Sequence, residues 1–327
     1  MKILVTGSAG HLGEAIARTL TASAHEVIGL DVHRSPFTTV GGSIADAAVV
    51  AHAMRGVDAV LHTATLHKPH IATHSRREFV DTNIVGTLTL LEAAAEARVG
   101  SFVYTSTTSV YGLALVPETG APAAWISEDV VPLPKNIYGV TKKAAEELCE
   151  LFQRKLGLPC VVLRTSRFFP DEDDDAAIRG VYADDNVKAN EYSYRRVDIE
   201  DVVTAHLLAM GRAPTLGFRR YVISATTPFM RDDVPRLRSD APAVLRERFA
   251  AYEREYERRH WKMFPTIDRV YDNALARREL GWSPRWSFGY ILERLASGED
   301  IRSALARSVG FKGYHIGRFT AEMYPTD

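Results

Sequence analysis

Apolar and polar positions follow two rhythms along this chain. Lys2-Ile3-Leu4-Val5 is a short apolar run that reads as a buried strand, and Leu12 to Leu20 repeats apolar residues at helical spacing. Glu26 to Leu30 reads as a second strand, ending on Asp31; Arg34 to Gly42 is polar loop. Ala47 to Met54 reads as a helix and Asp58 to His62 as a strand. Glu78 to Arg98 reads as one long helix with Phe79, Ile84, Leu88, Leu91 and Ala95 on its apolar side. Ser101 to Tyr104 is a strand, Leu113 to Pro134 a proline-containing insertion expected as a flap or short hairpin. Tyr138 to Leu156 is a helix capped by Gly157, and Leu158 to Leu163 a buried strand. This alternation predicts an α/β chain with a doubly wound parallel sheet.

After Arg164 the rhythm loosens. Val197 to Met210 reads as a helix and Tyr221 to Ser224 as a strand returning to the main sheet. Val234 to Arg259 reads as one exposed, charged helix with i,i+4 pairs. Asn273 to Leu280 is a short helix closed by Gly281; Trp282, Pro284, Trp286 and Phe288 form an aromatic turn, and Gly289 to Gly298 is a last helix. The expected division is a main domain of residues 1–165, with 198–227 returning to it. A smaller, mostly C-terminal substrate region takes 166–197 and 228–327, its tail folding over the body or a second subunit.

Composition narrows the class. The chain has 327 residues, 46% of them apolar, which is ordinary for a globular protein. A formal net charge of -1 gives no field for nucleic acid or an anionic membrane. Two cysteines, Cys149 and Cys160, make no disulfide framework and suit a reducing cytoplasm. The N-terminus reads as neither signal peptide nor membrane span, because the glycine turn interrupts its apolar run.

Thr6-Gly7-Ser8-Ala9-Gly10-His11-Leu12-Gly13 joins the first strand to the first helix. Strand, glycine-rich turn, helix, strand and acid form a βαβ unit for a dinucleotide. Gly7 and Gly10 let the backbone approach a pyrophosphate, Gly13 permits close packing, and the N–H groups from Ala9 to Leu12 face the phosphates. Asp31 accepts the ribose hydroxyls and favours NAD over NADP, a preference that His33 and Arg34 soften. Small residues at Thr63-Ala64-Thr65 allow a cofactor to lie against them. Five hydroxyl residues, Thr105 to Ser109, stand at the end of a sheet strand, where such folds place chemistry.

Tyr138 and Lys142 are four apart on one helix and share a face. A phenol titrates near about 10, and an adjacent ammonium lowers that value. Such a tyrosine can exchange a proton with a substrate oxygen during hydride transfer, with Thr107 holding that oxygen. His67, His70 and His74 border the substrate or nicotinamide; no cysteine or acid completes a metal site with them. Arg167 either grips a phosphate or carboxylate or pairs with the acids from Asp171 to Asp175, a run otherwise read as solvated loop. Arg195 and Arg196 pose the same choice.

Taken together these motifs resemble the extended short-chain dehydrogenase/reductase superfamily, in its NAD-dependent sugar epimerase/dehydratase branch. The resemblance adds His62-Thr63-Ala64, Asn83-Ile84-Val85-Gly86-Thr87, Ser106 to Gly112, Arg196 to Val202 and Leu280 to Pro284. It implies a Rossmann-type fold with bound NAD, in which Ser43-Ile44 touch the adenine and His62, Thr63 and Ala64 border the cofactor. It makes Thr107, Tyr138 and Lys142 catalytic and Asn83 a support. His67, Thr107, Thr108 and Arg167 would meet the substrate. Sugar-nucleotide 4,6-dehydratases carry Asp-Glu after the catalytic threonine; Thr108-Ser109 stand here, so dehydration is not expected. The expected function is NAD-dependent oxidoreduction or epimerisation of a sugar or nucleotide-sugar. The alternatives are an NAD(P)-dependent dehydrogenase or reductase of a non-nucleotide alcohol or ketone, and a non-catalytic dinucleotide-binding protein. The resemblance also implies a homodimer through helices 78–98 and 138–156.

Overall fold

The computed structural model describes residues 1–312. The expectation for the tail, Gly313 to Tyr324, lies outside the described residues. The strands are β1 (Lys2–Thr6), β2 (Glu26–Asp31), β3 (Val40–Gly41), β4 (Ala59–His62), β5 (Ser101–Thr107), β6 (Ala124–Ile126), β7 (Cys160–Thr165), β8 (Phe218–Ile223) and β9 (Arg269–Tyr271). The helices before β7 are α1 (His11–Thr21), α2 (Ala47–Ala53), α3 (Arg76–Val80), α4 (Gly86–Glu96) and α5 (Ile137–Leu156). After β7 come α6 (Ala176–Val181), α7 (Asp184–Glu191), α8 (Ile199–Leu216), α9 (Val234–Leu237), α10 (Ala241–Arg248) and α11 (Tyr252–Glu257). The last are α12 (Ala274–Leu280), α13 (Phe288–Ala296) and α14 (Ala304–Val309). Among the described residues, no helix is long and apolar enough to cross a membrane.

One seven-stranded parallel sheet runs in the order β3-β2-β1-β4-β5-β7-β8. Its strands are apolar on both sides because helices cover both faces. Ile3 and Val5 pack with Leu12 and Ile16 of α1 and Val202 of α8. Leu4, between them, points the other way into a core with Val50 of α2, Leu90 of α4 and Ala145 of α5. A third apolar cluster, around Tyr192, Leu245, Tyr256, Phe264 and Phe288, is built from residues after β7 together with Ala123. Asp201 on α8 anchors the C-terminal part of the chain. Its carboxylate accepts the Arg285 and Trp286 N–H groups at 2.9 and 2.8 Å, and its carbonyl accepts the Trp282 indole at 3.1 Å.

Three expectations change. The predicted helix from Glu78 to Arg98 is interrupted by a π-turn at Asp81–Val85, which separates α3 from α4. That turn buries Asn83, whose amide oxygen accepts the Leu66 N–H at 2.8 Å and whose nitrogen donates to Thr141 at 3.0 Å. The insertion is no hairpin: Leu115 and Val116 border the large cavity, β6 pairs in parallel with β9, and the Trp125 indole donates to Asp272 at 2.9 Å. The predicted charged helix Val234–Arg259 is three short helices, α9 to α11. Leu237, Val244, Leu245, Tyr252 and Tyr256 from the three pieces are all buried in the third cluster, so the segment is not the exposed surface helix expected.

Asp201→Ala leaves the buried Trp286 N–H and the part-buried Arg285 N–H without their acceptor and is expected to destabilise the fold by about 1–3 kcal/mol. Asp201→Asn, which keeps one acceptor, is expected to cost less. Denaturant unfolding of the two variants measures both.

Candidate active site

The carboxyl ends of β1, β2, β4, β5 and β7, with the N-termini of α1 and α5, open into a cavity of about 1790 Å³. Its first half is built by the glycine turn. Gly7 sits at φ +71°, and a Cβ there would come within 2.8 Å of the Ala64 nitrogen. A Cβ on Gly13 would come within 1.9 Å of the Gly7 carbonyl oxygen, so only glycine lets α1 start this close to the turn. No side chain caps α1 at Gly10, which leaves its first-turn N–H groups for a ligand. Gly7, Ala9, Gly10, His11, Leu12 and Gly13 all line the cavity, as do Ser43, Ile44, Thr63 and Ala64. His11 is buried, and neither of its ring nitrogens has a partner among the described residues. Burial holds that imidazole near pKa 4, hence neutral. Asp31 stands at the end of β2, fixed by the Ala9 and His33 N–H groups at 2.9 and 2.8 Å. The uncapped helix end, the glycine cradle and this carboxylate fit a dinucleotide.

His62 does not line the cavity. It is 1% exposed, with Nδ1 2.8 Å from the Thr6 hydroxyl and Nε2 3.0 Å from the Thr87 hydroxyl. Strand alternation sends it to the face bearing Phe102 and Tyr104, and the cavity receives the next two residues instead.

The second half is built by β5 and α5. Asn136 caps α5 by accepting the Gly139 N–H at 3.1 Å. Tyr138 and Lys142 follow, 3% and 2% exposed, and both line the cavity. Thr107, at the end of β5, lines the cavity beside the Tyr138 phenol, and its own hydroxyl accepts the Ser109 N–H at 3.1 Å. Lys142 Nζ donates to the Thr105 carbonyl at 2.6 Å and lies 4.2 Å from the centre of the Tyr104 ring. The expected lowering of the phenol by Lys142 is not what this geometry gives. Burial pushes Tyr138 above its ordinary value, opposed by the neighbouring Thr107 hydroxyl. Burial also pushes Lys142 down to about 7, opposed by Glu146. Glu146, one turn further along α5, accepts the Ser106 hydroxyl at 2.5 Å and Arg164 Nη2 at 2.7 Å.

Around the phenol, the His67 ring lies 5.0 Å from Tyr138 and 4.7 Å from Phe169, and Phe169 stacks on Phe168 at 4.3 Å. Burial holds His67 near pKa 3. Thr108 lines the cavity beside Thr107. Arg167 also lines it, but Nη1 donates to Asp173 at 2.8 Å and to Glu191 at 3.3 Å, and Nη2 to the Glu172 carbonyl at 3.0 Å. Arg195 Nη2 lies 2.7 Å from Glu191 and 3.2 Å from Asp173. Glu191 is fully buried. Burial alone would raise it, yet Arg167, Arg195 and Arg196 together hold it near pKa 2.

The acidic run is a loop with Glu172 and Asp175 exposed, but its other acids are engaged. Asp173 is buried under two guanidiniums, Asp174 pairs with Lys68 at 3.1 Å, and Asp175 caps α6. Sequence reasoning missed Glu191 and the Phe168–Phe169 pair. The four-residue spacing from Glu191 to Arg195 was the one local signal for the former.

A sequence profile of the NAD-dependent epimerase/dehydratase family matches residues 3–224. The chain belongs to this family. NAD is accordingly its cofactor, in keeping with the cradle described above. A Bacillus subtilis (strain 168) protein named as an uncharacterized UDP-glucose epimerase is 32% identical over 186 residues, covering 50% of this chain and 55% of that one. The 2-alkyl-3-oxoalkanoate reductase of Stenotrophomonas maltophilia is 35% identical over 156 residues, covering 45% of each. Both matches thus span about half of the relative's length. An Agrobacterium tumefaciens protein of the short-chain dehydrogenase/reductase superfamily, solved with bound NAD, superposes with a TM-score of 0.66. It is 24% identical and covers 94% of this chain and 99% of its own.

Asp31→Ala removes the carboxylate at the end of β2. It is expected to weaken NAD binding about tenfold, about 1.4 kcal/mol, and to narrow the preference over NADP. Fluorescence titration with both dinucleotides measures this.

Proposed function

We propose that this family member transfers hydride at a hydroxyl or keto carbon of a sugar-type substrate, with Tyr138 as the proton-exchanging residue. The observation that carries the reading is that Tyr138, Thr107 and Lys142 stand together on the wall of the cavity that the glycine turn and Asp31 also line. Bound NAD supplies a hydride acceptor or donor. The glycine turn with Ala9, His11 and Leu12 holds its phosphates, Asp31 its adenosine ribose, Ser43 and Ile44 its adenine, and Thr63 and Ala64 its inner edge.

Thr107 positions the substrate oxygen, and Tyr138 takes or returns that oxygen's proton. Burial makes a lone phenolate costly, so the proton leaves Tyr138 readily only when a cation or donor stands by. Lys142 is the available cation, and its lowered pKa lets it carry a proton on or off near neutral pH. His67, neutral beside Tyr138, offers hydrogen bonding to a substrate hydroxyl without adding charge. The reading disfavours dehydration, because the two positions after Thr107 are Thr108 and Ser109, neither of which is an acid or base at neutral pH. The same reading carries a homodimer through α4 and α5, which pack together and leave Val140 and Leu151 exposed on α5.

Tyr138→Phe keeps the ring and removes the proton. It is expected to lower turnover by about 10²–10⁴-fold while NAD binding stays within about twofold. Turnover is read as NADH formation or epimer formation; undiminished turnover in the variant overturns the assignment.

A further inference from the structure

We propose that the His11 imidazole is itself a ligand of the dinucleotide, donating to its pyrophosphate, and that cofactor binding is coupled through this ring to the uptake of a proton. The glycine turn does not call for a histidine here. Its geometry needs Gly7, Gly10 and Gly13, and the residue between Gly10 and Leu12 has only to supply a backbone N–H. The ring nonetheless lines the cavity and is 6% exposed, and neither nitrogen has a partner among the described residues. Buried polar groups are nearly always hydrogen-bonded, so an unpartnered imidazole on the wall of a ligand cavity points to a partner on the ligand. The surrounding side chains do not supply one. Phe168 and Phe169 offer ring faces, with centroids 6.0 and 5.7 Å from that of His11. Glu14 accepts from Arg18 at 2.7 Å and from Lys312. Arg196 is a donor, directed at the Phe169 carbonyl at 3.0 Å.

His11 is the first residue of α1, and no side chain caps that helix. Phosphates received by the first-turn N–H groups therefore come within reach of the ring on the same residue. A phosphate offers acceptors only, and a neutral imidazole has one N–H to give. Protonation adds a second donor, which an ionised phosphate beside the ring favours. The charged groups facing His11 are Lys312 after α14, Glu14 on α1 and Arg196 before α8. Burial, with Lys312 and Arg196, holds the free ring down to about 4 against the opposing pull of Glu14. An anion set beside the ring raises that value toward the ordinary histidine range. A group whose pKa rises on binding takes up a proton, and the complex tightens as pH falls through the bound value.

The test is calorimetric titration of the protein with NAD at about pH 6 and about pH 8, in buffers of different ionisation heat so that proton uptake is counted. The wild-type protein is expected to bind NAD about fivefold more tightly at the lower pH and to take up protons there. His11→Phe keeps a ring against Phe168 and Phe169 and has no nitrogen. It is expected to bind NAD about tenfold more weakly at the lower pH and to lose the uptake that belongs to His11. Lys142, held at about 7 on the same cavity wall, also exchanges a proton in this range. Its share persists in the variant, so the difference between the two proteins reports the His11 ring. Equal uptake in both proteins, or none in the wild type, overturns the proposal. Should His11→Phe unfold, His11→Gln replaces it, because an amide donates but does not titrate. That variant is expected to keep its affinity at the higher pH within about threefold while the His11 uptake disappears. Both readouts are of binding, so failure here leaves the Tyr138 assignment to its own turnover test.

Discussion

Glu146 is a carboxylate with no exposed side-chain surface, and the reactive half of the cavity is assembled over it. It sits on α5 one turn past Lys142. It receives the Ser106 hydroxyl from β5 and Arg164 from β7, and Arg220 of β8 lies 3.4 Å away. One helix and three strands therefore meet at a single charge. A buried charge is tolerable only while its hydrogen bonds are complete, so sliding α5 along the sheet is expensive. This fixes where Tyr138 stands against Thr107, since both belong to elements that Glu146 ties. The tie extends outward: Arg164 also donates to the Tyr111 hydroxyl at 3.1 Å, and that hydroxyl donates to the Ser127 carbonyl at 3.0 Å. The insertion after β5 is thus held by the same charge.

What could be read from residue order was local. The glycine turn, Asp31 and the Tyr138–Lys142 pair are short-range patterns whose geometry follows from element type, and the strand at Tyr221 did return to the sheet as β8. His62 shows the limit. A strand end chooses its face by one residue of register, and the pattern Leu61-His62-Thr63 carries no marker of that choice. Val234 to Arg259 shows another. Its alternating charges look like one solvated helix, yet Asp240 starts a new helix by accepting the Ala243 N–H at 3.1 Å. Leu245 and Tyr256 are buried against partners elsewhere in the chain, which the local charge pattern does not display.

Charge behaved likewise. Spacing puts Lys142 and Tyr138 on one face, but spacing does not state how much water surrounds them. With both groups buried, desolvation dominates each of them, and the phenol rises while the ammonium falls. The arginines after β7 differ in the opposite sense. Burial opposes the charge of Glu191, yet three guanidiniums outweigh it. Which effect wins depends on how many counter-charges converge, a property of the assembled wall and not of any single segment.

The pairing of β6 with β9 sets Ala124 opposite Arg269. The main sheet, by contrast, is complete once β8 is in place. Arg269 and Tyr271, which line the cavity, arrive with β9. Contacts between residues so distant in the chain close late in folding, because the entropy of the intervening loop is lost before they form. The cofactor cradle leans on the same late stretch, because α1 shares its core with Leu280, Trp282 and Val309, so both halves of the cavity are completed by the last part of the described chain.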